Sequence, residues 1–521
     1  MCTHFTNRNK IIAEMMKFSF HHRAFYCYLG MTVWIFFLVT GMKPHKILLN
    51  TDTWLLQGIL VVTRHGDRGP LTVILSVINH GNNLDKHYLY SSYSEWVGNA
   101  SASGRAWWVG GAGPFHNFPS LPARAAGTRC ALGQLTPRGL MQMITVGTYI
   151  VYLHIIVIVL VPSTSNVLKI SIVVHRSGDV LMYSTRYRRT FQSLMGVAWG
   201  AYRAAGGARA AAARESHAVA FCFHDCACKH HHALNKNRLA SHPAIKDLVK
   251  KLSKVLFESQ EEPDAELVRD AALAHMCHDS PLPCNYKHKN LSLDKRDKKL
   301  RTSSRGLLDV DIDTLNMELD YINNQLDFNN EIGRKARDII DWTYRQEIKN
   351  QHHLKRGLLT AYGLIRNIVQ NMIRIISENK PKFVLYSGHD KTLQPLILAL
   401  GLTNYQHFNI QYASRLIFEV YRMKDLRDEF KFAKRKAVAQ DFYFRVVYNG
   451  EDVTNRLSFC KKRNNVVMRM VHPLDDKVYN TYLCSIENIV RFLHDDYFAV
   501  FNASNFKDAC SVYDGNLQRI Y

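Results

Sequence analysis

Two stretches of the chain set a histidine among ionisable groups directly after an apolar run. In the first, GILVVT (58–63) leads into RHGDRGP (64–70), where His65 stands between Arg64 and Arg68. In the second, FVLY (383–386) leads into SGHDKT (387–392), where His389 is followed by Asp390. A third turn of the same kind, in STRYRRT (184–190), offers Arg189. Three guanidiniums and two imidazoles brought together match a phosphoryl group, because arginine forks make bidentate, charge-assisted bonds to its oxygens. Clustered positive charge disfavours protonation of an imidazole, so His65 would stay neutral and nucleophilic. Attack on phosphorus would give a phosphohistidine, with the guanidiniums stabilising the in-line transition state. The departing alkoxide needs a proton, and Asp390 is the carboxyl beside the second histidine. This chemistry requires no metal and no cofactor. Taken singly, each motif is equally compatible with surface charge or, for Asp390 and Thr392, with helix capping.

Such groups must be carried by elements that converge. The runs before His65 and His389 have the composition of buried parallel strands, whose carboxyl ends are where open α/β sheets bind ligands. LMYS (181–184) reads as a further strand running into a helix. LTPRGLMQM (135–143) opens a helix, with Thr136 as N-cap and Pro137 in the first helical position. The apolar run 149–161 reads as a buried strand or helix, being short for a membrane span. Residues 71–130 read as loop with a few short elements. A long helix is expected over 357–377 and a shorter one over 392–400, stopped by Gly401. Alternating strands follow at 415–421 and 442–448, the second ending in the turn Asn449-Gly450. The pattern predicts an α/β sheet core over 55–200 and 355–515, flanked by helices, with 201–354 as an inserted, mainly helical cap.

The chain has 521 residues, 47% of them hydrophobic and 21% charged, which excludes disorder, collagen and a disulfide-only miniprotein. Its net charge of +23 favours a polyanionic partner or substrate. From 24 to 42 no charged residue occurs, and the basic residues Arg8, Lys10, Lys17 and Arg23 precede that run. This predicts a cytoplasmic tail (1–23), a single-pass type II anchor (24–42) and a luminal remainder. Nine cysteines beyond the anchor would then pair in an oxidising lumen, with at least one left over. Sequons at Asn99, Asn290 and Asn502 agree with the secretory route and argue against nucleic acid as the partner. The cluster CFHDCACKHHH (222–232) lacks the spacing of a structural zinc site and reads as disulfides beside a solvated histidine patch.

RHGDRGP resembles the RHGxRxP signature of the histidine acid phosphatases, and SGHDKT resembles their downstream His-Asp motif. Arg189-Thr190 is similar to the family's intervening Arg-Thr, LTPRGLMQ to its LTxxGxxQ helix start, and ASRLIFEVY and RVVYNGEDVT to its closing strands. The similarity runs from about 55 to 515. It implies a histidine-phosphatase α/β core with a helical insertion, His65 as nucleophile and Asp390 as proton donor. Arg64, Arg68, Arg189 and His389 would bind the phosphate. Further likeness to the anchored Golgi members lies in FCFHDCAC, CHDSPLPC and the tail ENIVRFLHDDYFAVFNASNFKDAC. That likeness implies removal of the 2-phosphate from xylose in the linker joining glycosaminoglycans to core proteins, with the linker glucuronosyltransferase as a candidate partner. The same chemistry on other substrates, as a broad acid phosphatase or an inositol-polyphosphate phosphatase, stays open. So does an inactive, glycan-binding membrane protein.

Overall fold

The computed structural model describes residues 54–72, 87–102, 132–159, 179–204, 351–402, 410–423, 439–460, 466–471 and 478–511, with short pieces at 121 and between 249 and 274. The expected tail and anchor, the cysteine-histidine cluster, Asn290 and most of the expected cap lie outside these residues. Among the described residues no helix is long and apolar enough to cross a membrane.

The elements in chain order are β1 (Trp54–Arg64), α1 (Tyr88–Ala102), α2 (Pro137–Val159), β2 (Val180–Ser184) and α3 (Arg188–Ala204). Further along the chain come α4 (Gln351–Glu378), β3 (Phe383–Gly388), α5 (Asp390–Ala399), β4 (Arg415–Met423), β5 (Phe442–Tyr448) and β6 (Glu451–Asp452). The chain then runs through β7 (Val466–Val471), β8 (Val478–Ser485), α6 (Ile486–Arg491) and α7 (Phe506–Ser511). The sheet order is β2-β3-β1-β4-β5-β8-β7, with β6 paired to β5. β2, β3 and β1 are mutually parallel, so their carboxyl ends share one edge; β4 is antiparallel to β1 and begins at that same edge.

Alternation along the strands divides the core in two. Ile59 and Val61, with Phe383 and Leu385, face a layer made from α1, α2 and α3. Leu60 and Val62, with Val384 and Tyr386, face α4 and α5. Strands buried on both faces carry unbroken apolar sequence, which is why 58–63 and 383–386 read as they do. Cys460 and Cys484 form a disulfide between the segment after β6 and strand β8, and Cys510 is disulfide-bonded as well.

Helix α1, of 15 residues, is the main departure from expectation, since 71–130 reads as loop with a few short elements. Its buried residues Tyr90, Tyr93 and Val97 recur at helical spacing against Trp199 and the α2–α3 layer. Serines between them, and glycine and asparagine directly after, mask the period. The apolar run from 149 is the second half of α2, a helix rather than a strand, and Ile150 and Val151 are buried. Helices α2 and α3 cross at their backbones: a Cβ at Gly147 would lie 2.1 Å from the Val197 carbonyl, and one at Gly200 would lie 2.1 Å from that of Ile144.

Candidate active site

Backbone bonds hold the turn that follows β1 from several sides. The His65 N–H donates to the Gly388 carbonyl at 2.9 Å, and the His65 carbonyl accepts from Ala413 N–H at 3.1 Å. Strand β3 and the turn leading into β4 thus grip the same residue. The Gly66 N–H donates to Ser193 Oγ on α3, and the Asp67 N–H to Gln142 Oε1 on α2. Thr136 caps α2 as expected, accepting from the Gly139 N–H at 3.0 Å, and its hydroxyl donates to Asp67 Oδ2 at 2.6 Å. The two segments touch without side chains between them. A Cβ at Gly66 would sit 2.1 Å from the Gly139 carbonyl, and one at Gly139 would sit 2.1 Å from that of Asp67. Glycine in RHG and in LTPRG is therefore one requirement, met from both sides.

All six residues singled out in the sequence meet at this edge. The rings of His65 and His389 lie 5.3 Å apart, edge to face. Arg64 Nη2 is 3.4 Å from Asp390 Oδ2, while its Nη1 donates to the Ile410 carbonyl. Arg189 Nη2 is 3.4 Å from His389 Nδ1. Arg186 and Arg188 are exposed, so of the three arginines in this turn it is Arg189 that reaches the histidines. Arg68 is buried and paired with Asp270, a residue from the segment between α3 and α4.

Hydrogen bonding fixes the tautomers. His65 Nδ1 lies 2.7 Å from the Gly66 carbonyl. A carbonyl only accepts, so Nδ1 carries the proton and the Nε2 lone pair is free. Burial, then Arg189, Arg64, His389 and Arg68, hold the His65 pKa well below the ordinary 6.5. For His389 the guanidinium of Arg189 can only donate, so Nδ1 accepts. Its Nε2–H then faces Thr185 Oγ1 at 2.9 Å, which in turn lies 2.8 Å from Thr190 Oγ1, and Thr190 donates to the Tyr187 carbonyl. Burial first, and Arg189 next, lower the His389 pKa to about 3. Arg189 itself is lowered to about 10 by burial and by Arg68.

The guanidiniums are clad in aromatic rings. Arg64 lies 4.2 Å over Tyr412 and Arg189 lies 4.5 Å over Tyr187, whose ring also meets His389 edge to face at 4.9 Å. Among the described residues, the buried Nε–H groups of Arg64, Arg68 and Arg189 make no hydrogen bond. A buried donor without a partner is costly, and three within one cluster of cations suit an oxyanion. The arrangement can bind a tetrahedral anion against a neutral imidazole, with a carboxyl on the first turn of α5. The backbone of His389 is fixed there by Thr392, whose hydroxyl accepts its N–H at 2.9 Å. Asp270, Tyr412, Tyr187 and Thr185 escape sequence reasoning. Tyr412 and Asp270 sit in no motif, and nothing in their neighbours' spacing points to them. Of the sequons, Asn99 on α1 and Asn502 after Phe501 are both exposed.

The chain is similar to several known proteins. The chain is 24% identical over 477 residues to 2-phosphoxylose phosphatase 1 of Danio rerio, covering 87% of this chain and 82% of that one. Against the protein of the same name in Homo sapiens it is 32% identical over 179 residues, about a third of each chain (34% and 32%). Among solved structures, the phytase of Klebsiella sp ASR1 superposes with a TM-score of 0.41 at 12% identity, covering 84% of this chain and 95% of that one. The multiple inositol polyphosphate phosphatase of Bifidobacterium longum gives 0.45 at 11% identity, covering 85% and 93%. Residues 55–449, which include both histidine turns and the arginine between them, match the histidine phosphatase superfamily, branch 2, and the chain belongs to that family.

Proposed function

We propose that the chain is a phosphomonoesterase that transfers phosphate through His65, and that its substrate is the 2-phosphorylated xylose of the proteoglycan linker. The observation that carries the chemistry is the neutral His65 ring, its Nε2 lone pair free, beside three arginines whose buried Nε–H groups are unsatisfied. In the first step Nε2 attacks phosphorus in line, the P–N bond forms and the P–O bond to the sugar breaks. Asp390 gives its proton to the leaving oxygen. Arg64, Arg68 and Arg189 take up charge on the equatorial oxygens. His389, expected from the sequence as a further phosphate ligand, acts in this reading by holding Arg189 in the phosphate site, since its own N–H is turned to Thr185. In the second step Asp390 accepts a proton from water as the water oxygen attacks phosphorus. The P–N bond breaks, and inorganic phosphate and neutral His65 are regenerated.

The choice of substrate rests on the names of the relatives. The basic flank and uncharged run at 24–42 support a type II anchor with the enzyme domain luminal; a Golgi location and work alongside the linker glucuronosyltransferase follow from the proposed substrate. The test is phosphate release by the luminal part from a 2-phosphoxylose linker oligosaccharide and from inositol hexakisphosphate. Release from the first and not the second is expected. His65→Ala should abolish turnover of both the linker and a generic aryl phosphate; activity surviving that change would remove His65 as nucleophile.

A further inference from the structure

We infer that Asp270, contributed by the insertion, is a positioning residue that orients Arg68 toward the transferred phosphate; this rests on the phosphate-binding role given to Arg68 above. The carboxylate meets the end of the guanidinium with both oxygens: Nη2 to Oδ1 is 2.6 Å and Nη1 to Oδ2 is 3.4 Å. Oδ2 also accepts the Leu71 N–H at 2.8 Å, and Nη1 donates to the Gly69 carbonyl at 2.9 Å. One side chain therefore fixes both the guanidinium and the backbone just beyond the RHGDRGP turn.

The edge it leaves is the informative part. Asp270 and Gly69 occupy the Nη1–Nη2 end, so the Nε–Nη2 edge remains, and among the described residues that Nε–H has no partner. That edge presents two parallel N–H groups, the geometry that matches two oxygens of one phosphate. Arg68 is 6% exposed and Asp270 is 9% exposed, so water competes little for either. Burial works against the Arg68 charge, but Tyr412 and Asp270 outweigh it and keep the guanidinium more firmly protonated than in water. Asp270 is itself anchored. Val268, Ala271 and Ala274, at helical spacing around it, are all buried. The segment between α3 and α4 thus reaches into the site rather than merely covering it.

A double-mutant cycle on kcat/KM for an aryl phosphate tests the assignment. Asp270→Asn keeps the shape and the acceptor for Leu71, and should lower kcat/KM about tenfold. Arg68→Ala should lower it further, and adding Asp270→Asn to Arg68→Ala should then change it by less than about twofold. Inhibition by inorganic phosphate should weaken in step with kcat/KM in Asp270→Asn, while Asp270→Glu, which restores the charge, should recover part of both. A structural role alone would lower the melting temperature without coupling to Arg68. If the two losses multiply, or Asp270→Asn leaves kcat/KM unchanged while Arg68→Ala lowers it, Asp270 does not act through Arg68. If Arg68→Ala itself has no effect, the phosphate-binding role of Arg68 is wrong, and the inference falls with it. Should Asp270→Asn fail to accumulate, the same cycle with Asp270→Glu decides the matter.

Discussion

Replacing Arg189 by glutamine should move the pH profile as well as lower it. After burial, Arg189 is the strongest influence holding the His65 pKa down, and it acts on His389 in the same sense. Its Nη2 lies 3.4 Å from His389 Nδ1, and the two imidazoles are 5.3 Å apart. The charge is therefore within about 10 Å of His65, where an effective dielectric of ~20 gives roughly 1.7 kcal/mol, or about one pKa unit. The sign follows from the chemistry. The nucleophile must be unprotonated, so activity falls as pH drops through the His65 pKa. Removing a neighbouring cation raises that pKa and carries the acid limb to higher pH. The assay is kcat/KM for an aryl phosphate between pH 3 and 7, in the parent and in Arg189→Gln. The second ionisation of the substrate is common to both, so the displacement between profiles reads the enzyme alone. An upward displacement of about one unit is expected, beside a lower plateau from lost phosphate binding. A lower plateau with an unmoved limb would refute the electrostatic reasoning, and a limb displaced downward would refute the protonation state assigned to His65.

Asp390→Asn should lower kcat/KM for a sugar phosphate by about 10²–10⁴-fold but spare kcat/KM for a nitrophenyl ester, whose leaving group needs no proton, while kcat falls on both because the phosphohistidine still needs its base; equal losses of kcat/KM on both would count against the proton-donor role. Gly139→Ala would set a Cβ 2.1 Å from the Asp67 carbonyl, so the His65 turn or the start of α2 must yield by more than 1 Å to reach an ordinary 3.4 Å. Misplacement on that scale should cost about 10²-fold in kcat/KM together with a lower melting temperature, and activity within threefold of the parent would show that the contact is loose. Stability should fall below pH 6.5, because His65, His389 and His353 all have lowered pKa values, about 3 for His389 and about 4 for His353. The unfolded chain takes up protons that these buried rings refuse, so the loss begins as pH drops through 6.5 and reaches about 2 kcal/mol each for His389 and His353 at pH 5. Urea unfolding at pH 7.5 and pH 5 measures it, and His353→Gln should flatten the dependence; an unchanged slope in that variant would exclude His353 as a contributor.

Legibility in the sequence followed burial on two sides. Strands β1 and β3 are central and buried on both faces, so their apolar runs stand out, and each ends where a charged turn begins. The cap on α2 is local chemistry between Thr136, Pro137 and Gly139, and it reads directly. Arg189 could be preferred to Arg186 and Arg188 only through the threonine after it; the reason lies in three dimensions, where Thr190 closes the hydroxyl chain under His389. Helix α1 was hidden because its buried face is built from widely spaced aromatics among small polar residues, a weak amphipathic signal. Asp270 was hidden for a different reason. Its meaning is set by a contact with a residue 202 positions away, and no period or motif encodes such a pairing.

The middle position of β1 has a consequence for biosynthesis. Its two neighbours, β3 and β4, begin at Phe383 and Arg415, more than 300 residues downstream. At roughly 5–20 residues per second, the ribosome needs some tens of seconds to deliver them. Throughout that interval WLLQGILVVTR has no strand on either side. Nascent chains of this enzyme should therefore lean on chaperones that shield extended apolar segments, and premature termination before Phe383 should yield aggregates rather than a smaller folded remnant.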